Sequence, residues 1–206
     1  MAEAWLGEML FKDYMRLALA GGCTRGTAVR AWCAAADHAR LELMLACAGE
    51  DGVLGAMVQD PVMRLVLMLL LEPEFAEEAE QTGLPLPAVR ERAAGPRFGA
   101  ILFREFVQEQ VSVHSDRTRT CTAGNVVKWW RRSCGEERYM AMEEHCNSGE
   151  MCSLLFADYD KRAALLQILD AEFAAAGYDM RVHRETAVTA GTRPCSAAAP
   201  TLDKIT

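Results

Sequence analysis

Cys23–Trp32 has the sequence CTRGTAVRAW, and the similar sequence CTAGNVVKWW of Cys121–Trp130 follows 98 positions later. The same offset relates further identical residues, which include Arg40 and Arg138, Asp60 and Asp158, Arg64 and Arg162, and Glu74–Ala76 and Glu172–Ala174. Upstream, Leu10–Tyr14 matches Leu102–Phe106 once six extra residues around 113–119 are allowed. Self-similarity at a fixed offset is the signature of an internal repeat, so the sequence predicts two tandem duplicated domains of about 90 residues each.

Every clear hydrophobic period in the chain is helical, with apolar residues at three- and four-residue steps. Thr24 or Thr27 is a candidate N-cap, and Asp60 followed by Pro61 is a strong helix start. The predicted helices of the first repeat are Trp5–Leu19, the helix after Thr24, Asp37–Cys47, the short turn Val53–Val58, and Pro61–Ala79. The fold class predicted is all-α, with four to five helices in each domain.

The second repeat is expected to end in a helix over Asp160–Ala176, terminated by Gly177, with Tyr178–His183 as the one candidate strand. Prolines and glycines then set the boundaries. The predicted organisation is a first helical repeat at 1–82, a Pro/Gly linker at 83–97, a second helical repeat at 98–185 and a disordered tail at 186–206. An apolar content of 51% is enough to fill two cores. Arg64 and Arg162 are expected to pair with Asp60 and Asp158.

Charge and hydropathy weigh against two classes of partner. The net charge is −7, made up of −6 for residues 1–96, −2 for 97–185 and +1 for the tail. Neither half has the basic excess that drives binding to a phosphate backbone, so nucleic acid is possible but not favoured. The most apolar run, Val62–Leu71, is ten residues long and contains Arg64, whereas a membrane span needs about 20 apolar residues. We expect a buried helix and no membrane association.

The eight cysteines follow no secretory signal, which favours reduced thiols in a cytoplasmic or nuclear protein. Cys134, His145, Cys146 and Cys152 include two soft-metal ligand types, but their spacing lacks the two close ligand pairs of structural zinc sites. Buried thiols are therefore preferred, zinc is the weaker alternative, and no metal or cofactor is expected. Cys23, next to a predicted helix start, is expected to fill space where helices meet, with a reactive thiol as the alternative.

Catalytic motifs are missing from the sequence. It has no glycine-rich phosphate loop, no paired carboxylates that mark a cleft and no His at a spacing that would activate a Ser or Cys nucleophile. We expect that the protein is not an enzyme.

One mixed aromatic and basic surface is predicted in the second repeat. Trp32 and Trp130 are equivalent and expected in the core, whereas Trp129 replaces Ala31 and is expected to be more exposed. The basic residues grouped with Trp129 are Lys128, Arg131, Arg132, Arg138, Arg117 and Arg119. Because Trp and Arg are favoured anchors of protein interfaces, the surface suits a protein partner. Alternatively, it stacks on a base and holds phosphates.

Two known families are similar to parts of the chain. Met63–Leu67 and Lys161–Leu165 resemble the late helix of tandem death-effector domains of the viral apoptosis-inhibitor kind, although the Asp of their Arg-x-Asp-Leu-Leu motif is absent. Phe106–Glu109, Lys128–Cys134 and Gly177-Tyr178 resemble the winged-helix module of viral and phage primase-helicases, without an obvious basic wing. The first resemblance implies an interaction protein and the second a nucleic-acid-binding one; neither assigns a family.

The sequence thus predicts a non-catalytic, intracellular interaction protein of the adaptor kind and of viral origin, whose second domain binds a protein partner. A nucleic-acid-binding protein that uses the same helix is the alternative. A structural homo-oligomer is the third possibility.

Overall fold

The computed structural model describes residues 1–49, 52–84, 95–115, 121–147 and 149–189. Within these ranges all regular secondary structure is α-helical, which confirms the predicted fold class. The helices are α1 (Ala2–Ala20), α2 (Arg25–Ala34), α3 (Asp37–Ala48), α4 (Gly52–Gln59), α5 (Pro61–Gln81), α6 (Phe98–Ser115), α7 (Ala123–Arg132), α8 (Gly135–Asn147), α9 (Glu150–Ala157) and α10 (Tyr159–Thr189). No helix within these ranges combines the length and apolar character that crossing a membrane requires.

Side-chain caps define where four of the helices begin. The Thr24 hydroxyl accepts a hydrogen bond from the amide three residues on, at 3.2 Å, and Thr122 does the same before α7 at 3.3 Å. Asp60 accepts from the two amides that open α5, at 2.8 Å each, and Asp158 does so for α10 at 3.0 Å. Each cap satisfies free amides at a helix start and is worth about 1 kcal/mol.

The predicted pairing of Arg64 and Arg162 with these aspartates was wrong. The Arg64 guanidinium donates instead to the Val58 carbonyl at 2.7 Å, and the Arg162 guanidinium donates to the Tyr139 hydroxyl at 2.8 Å. The physical reason is that the capping geometry turns both carboxylates toward their own helix amides.

The end of the second half also differs from the sequence prediction. Helix α10 continues through Gly177 to Thr189, so the predicted terminator at Gly177 and the predicted strand at Tyr178–His183 were both wrong. A glycine inside a helix costs about 1 kcal/mol relative to alanine, which does not suffice to end it. Residues 85–94 of the predicted linker and residues 190–206 of the predicted tail lie outside the described residues.

A stacked aromatic pair occupies the core of each half. Trp32 and Phe75 lie with ring centroids 4.3 Å apart and planes 7° from parallel, and Trp130 and Phe173 lie 4.5 Å apart at 8°. All four side chains are buried. Each pair joins the second helix of its half to the last one, and aromatic pairs of this kind contribute about 0.5–1.5 kcal/mol beyond the area that they bury.

An arginine from the third helix of each half fixes the stack in place. Arg40 donates through Nε to the backbone carbonyl of the stacked tryptophan at 3.1 Å and through Nη1 to Glu72 at 2.6 Å. Arg138 donates in the same way to the tryptophan carbonyl of its own half at 2.9 Å and to Asp170 at 3.1 Å. Both guanidinium groups also lie over the indole rings, at 5.6 and 5.7 Å from the ring centroids.

The two halves pack against each other through α1 with α10 and α4 with α9. The Lys161 ammonium, on α10, pairs with Asp13 on α1 at 2.6 Å, and Glu3 accepts the backbone amide of Gly99 at 2.8 Å. The buried apolar residues of both halves form one continuous cluster. This differs from the two cores expected from the sequence, because the α1–α10 contact closes the space between the halves.

Replacing either stacked phenylalanine is expected to destabilise the protein by a similar amount. Phe75→Ala and Phe173→Ala each remove a fully buried ring, so each should lower the free energy of unfolding by about 3–5 kcal/mol in urea titrations. Leu65→Ala, at a side chain that is 45% exposed, is the control and should change it by less than about 0.5 kcal/mol. A Phe173→Ala protein as stable as the control would contradict the account of the core.

Candidate functional site

Helix α7 has one face in the core and one at the surface. Val126, Val127 and Trp130 are buried, and the indole nitrogen of Trp130 donates to Asp170 on α10 at 2.7 Å. On the other side, a half-buried tryptophan lies among exposed basic side chains. We call the four residues Lys128, Trp129, Arg131 and Arg132 the α7 surface.

The other residues predicted for this surface have different positions. Arg138 is half-buried, and its guanidinium is bonded to the Trp130 carbonyl and to Asp170, so it braces α7 from the core side. Arg117 and Arg119 lie outside the described residues. The structure therefore brings together four of the seven predicted residues on one exposed helix face.

Arg131 lies against α10 at Gly177. A β-carbon built on Gly177 would lie 2.6 Å from Arg131 Nη1 and 3.0 Å from its Cδ. Such distances are too short for a side chain, so the glycine provides the space in which the arginine rests across α10. The Arg131 side chain therefore lies along α10 at this point, while remaining exposed.

The matched helix of the first half has a different surface. At the positions 98 residues before Trp129, Arg131 and Arg132, helix α2 carries Ala31, Cys33 and Ala34. The residue that matches Gly177 is Ala79, which is fully buried. The first half thus has small residues where the second half has Trp129, Arg131 and Arg132. It has an alanine where the second half has Gly177.

Three of the four predicted soft-metal ligands lie together in the interior. His145, Cys146 and Cys152 are all buried, at the junction between the end of α8 and the start of α9. His145 contacts the Glu109 carboxylate of α6 through Nδ1 and packs edge-on against the Phe106 ring at 5.3 Å. Cys134 is exposed at the start of α8 and outside this group. We call Glu109, His145, Cys146 and Cys152 the buried thiol cluster.

The members of the buried thiol cluster shift one another's protonation. The pKa of Cys152 is lowered by its neighbours Cys146 and His145, against the opposing effect of burial. The neighbouring Cys152, together with burial, raises the pKa of Cys146. Burial lowers the pKa of His145, but hydrogen bonds with Cys152 and Glu109 outweigh that effect, so the pKa is raised.

Sequence reasoning named His145, Cys146 and Cys152 of this cluster but missed Glu109, which contacts His145 from α6. His145 and Cys152 are seven positions apart along the chain, and the turn between α8 and α9 brings them together. A comparison of the two halves could have identified the cluster. The positions that match Glu109, His145, Cys146 and Cys152 hold Leu17, Cys47, Ala48 and Leu54, which are mostly apolar.

Neither a metal centre nor a conventional active site is evident at the cluster. Within the described ranges, no group of three or more His, Cys, Asp or Glu side chains is placed to hold a metal ion. Cys152 is only 5% exposed and Cys146 only 1%, so a substrate larger than a few atoms does not reach the sulfur atoms in this conformation.

Comparisons with protein-family models, with curated proteins and with solved structures find no match to this chain. The assignment of function therefore depends on the geometry of the molecule itself.

Replacing Gly177 is expected to move Arg131 without unfolding the protein. In Gly177→Ala the new methyl group displaces the guanidinium, while the better helix propensity of alanine offsets the lost contact, so stability should stay within about 1 kcal/mol of wild type. The measurement is the NMR signal of the Arg131 side-chain Nε–H, which should shift and broaden. Gly26→Ala in α2 is the control, since its β-carbon would meet only an Arg30 nitrogen at 3.7 Å. An unchanged Arg131 signal in Gly177→Ala would show that the contact is absent in solution.

Proposed function

We propose that the protein is a non-catalytic interaction protein built by tandem duplication, and that its α7 surface binds a protein partner. The observation that carries the proposal is the outer side of α7, where Lys128, Arg131 and Arg132 are exposed and Trp129 is half-buried, with Arg131 lying against Gly177 of α10. The matched helix α2 has Ala31, Cys33 and Ala34 at the positions of Trp129, Arg131 and Arg132, and it keeps a cation, Arg30, only at the position of Lys128. A surface that combines exposed arginines with a half-buried tryptophan has the composition of an interface hot spot.

The proposed duplication is supported by contacts that recur at matched positions of the two halves. The aromatic stack, the arginine that bonds the tryptophan carbonyl, and the threonine and aspartate helix caps occur in both halves, 98 residues apart. The matched residues are Trp32 and Trp130, Phe75 and Phe173, Arg40 and Arg138, Thr24 and Thr122, and Asp60 and Asp158. A single copying event accounts for five such pairs in the same order, whereas independent origin requires each pair to arise separately. On this proposal residues 1–82 and 98–185 are the two repeats, joined by 83–97.

A protein partner is favoured over nucleic acid by the charge around the α7 surface. Its three cations, Lys128, Arg131 and Arg132, are followed after three further residues by Glu136 and Glu137 in the first turn of α8. A protein that holds a phosphate backbone gains affinity by neutralising many phosphates, and this chain has a net charge of −7. The partner that fits has carboxylates around an apolar contact for Trp129.

The proposal includes an intracellular location, where reduced thiols persist, and an adaptor role. Duplication followed by change of one surface gives a protein a second binding specificity. We therefore expect the first and second halves to have different partners.

The experiment is affinity capture from host-cell extract with the full chain as bait, followed by titration of each captured protein in purified form. The test variant is Trp129→Ala/Arg131→Glu/Arg132→Glu. Loss of hot-spot anchors costs at least about 2 kcal/mol, so the dissociation constant of a partner of the α7 surface should rise about 30-fold or more. The control is Arg16→Glu/Arg30→Glu, which changes the net charge equally on the first half and should leave that affinity unchanged.

The nucleic-acid alternative is tested in parallel by gel shifts with single- and double-stranded oligonucleotides at low salt. Tight, salt-sensitive binding that the triple variant loses would replace the protein-partner proposal with the alternative. Captured proteins that bind wild type, the control and the triple variant equally would also overturn it. Sedimentation at several concentrations distinguishes self-association from both.

A further inference from the structure

An open groove of about 790 Å³ lies on the first half, between α1 and the C-terminal part of α5. Its apolar side chains belong mainly to α1: Phe11 and Met15 are buried, Trp5 is half-buried, and Leu19 is 47% exposed. The lining follows α1 from Ala4 to Leu19, which is about 22 Å, or about four helical turns. A groove of this size holds several side chains of a ligand at once.

The α5 side of the groove is acidic. Glu74 and Glu77 lie there one turn apart, and among the described residues neither carboxylate forms an ion pair. Burial raises the pKa of the Glu74 carboxyl, and the charges of Glu77 and Glu8 raise it further, against the effect of Lys12. The cations that line the groove are held by other carboxylates: Lys12 by Glu8 at 2.6 Å, Arg16 by Asp13 at 3.2 Å, and Arg25 by Glu78 at 2.5 Å. The groove therefore has negative charge that its own cations do not balance.

Both halves place a glutamate of the last helix beside a glycine of the first. Gly7 of α1 matches Gly99 of α6 in the alignment of the two repeats, and Glu74 matches Glu172. A β-carbon built on Gly7 would lie 3.6 Å from Glu74 Oε1, and one built on Gly99 would lie 2.9 Å from Glu172 Oε1. The second half is thus an internal reference for the surroundings of the Glu74 carboxylate.

An arginine neutralises the glutamate of the second half and has no counterpart in the first. Arg97 pairs with Glu172 at 2.7 Å. Its matched residue is Trp5, an apolar residue that lines the groove. The second half also has Ala175 where the first half has Glu77. The first half therefore has one more carboxylate at this place and lacks the cation, as expected where a partner supplies the guanidinium.

We propose that this groove binds an amphipathic helix of a partner protein, and that an arginine of that helix pairs with Glu74 and Glu77. The apolar face of the helix contacts Trp5 and Leu19. The proposal adds a second binding site to the interaction function proposed above. It uses no residue of the α7 surface, so either site can fail its test without the other.

A helix suits the groove better than an extended segment does. The walls are the helices α1 and α5, whose backbone groups are bonded within the helices, so they offer side chains only. An extended segment would leave its own amides and carbonyls unbonded against the apolar side chains, whereas a helix satisfies them internally. Arginine suits the acidic side because one guanidinium donates to two carboxylate oxygens at once.

The probes are two fluorescein-labelled, alanine-based helical peptides of about 18 residues, which span the length of the groove. Each carries leucines at three- and four-residue steps along one face. One peptide has two arginines beside that face, and the other has citrulline, the uncharged isostere of arginine, at the same positions. In fluorescence anisotropy titrations of the full-length protein, the arginine peptide should bind at least about tenfold more tightly. Equal affinity of the two peptides, or no binding of the arginine peptide, would overturn the proposal.

A double variant and its control test the two carboxylates. Glu74→Gln/Glu77→Gln should remove the preference for the arginine peptide. Glu42→Gln/Glu144→Gln changes the net charge equally at exposed positions on α3 and α8 and should keep the preference. A control that loses it to the same extent would show that binding follows net charge and contradict the proposal. Circular dichroism checks the fold, and if a variant does not fold, the wild-type measurements decide alone.

The indole N–H signals of the tryptophans locate the bound peptide on the wild-type protein. Trp5 lines the groove, Trp129 belongs to the α7 surface, and Trp32 and Trp130 are buried. In ¹H–¹⁵N NMR spectra the arginine peptide should shift the Trp5 signal, assigned with Trp5→Phe, and leave the Trp129 signal in place. The Trp129→Ala/Arg131→Glu/Arg132→Glu variant should bind the peptide as wild type does. A shifted Trp129 signal beside an unchanged Trp5 signal would place the peptide on the α7 surface and overturn the proposal.

Discussion

The face-to-face contact between a tryptophan and a phenylalanine, held by an arginine, is the interaction on which each half of this protein depends. The Trp32–Phe75 and Trp130–Phe173 stacks join the second helix of each half to its last helix. The arginine on the third helix bonds the tryptophan carbonyl and a carboxylate of the last helix, so one side chain connects three helices. The arginine donates a hydrogen bond to a backbone carbonyl near the end of the second helix. That helix therefore keeps a fixed orientation, whichever residues its exposed face carries.

The orientation of the second helix does not depend on the residues of its exposed face. The second half can therefore differ from the first at two places and keep the same stacked core. On the outside, α7 carries the Trp129 and Arg131 surface, and Gly177 accommodates the arginine. On the inside, the α8–α9 junction holds ionisable groups where the first half holds mostly apolar ones. Both changes are next to helices that the stack and the caps already position, so neither has to provide the stability of the fold. The proposed recognition surface is consistent with the proposed duplication, in which one copy of a helical frame acquired a different surface.

Sequence reasoning succeeded where the signal was local or repeated. Helical periodicity and the capping residues Thr24 and Asp60 predicted helices close to those observed, and the offset of 98 residues identified Trp32 and Trp130 as buried equivalents. It failed where the outcome depended on tertiary contacts. Gly177 has the identity of a helix terminator, but the helix continues through it, because the cost of about 1 kcal/mol for a glycine inside a helix does not suffice to end it. The contact of His145 with Glu109 joins residues 36 positions apart, which no spacing rule detects.

The most direct test of the account is a crystal structure of the full chain in which residues 1–82 are superposed on residues 98–177. The account predicts that α1–α5 coincide with α6–α10 in order, that the two tryptophan–phenylalanine stacks overlap, and that Arg40 and Arg138 contact the same tryptophan carbonyl. Halves that do not superpose, or a Trp130 ring without its phenylalanine and arginine neighbours, would contradict the proposed duplication.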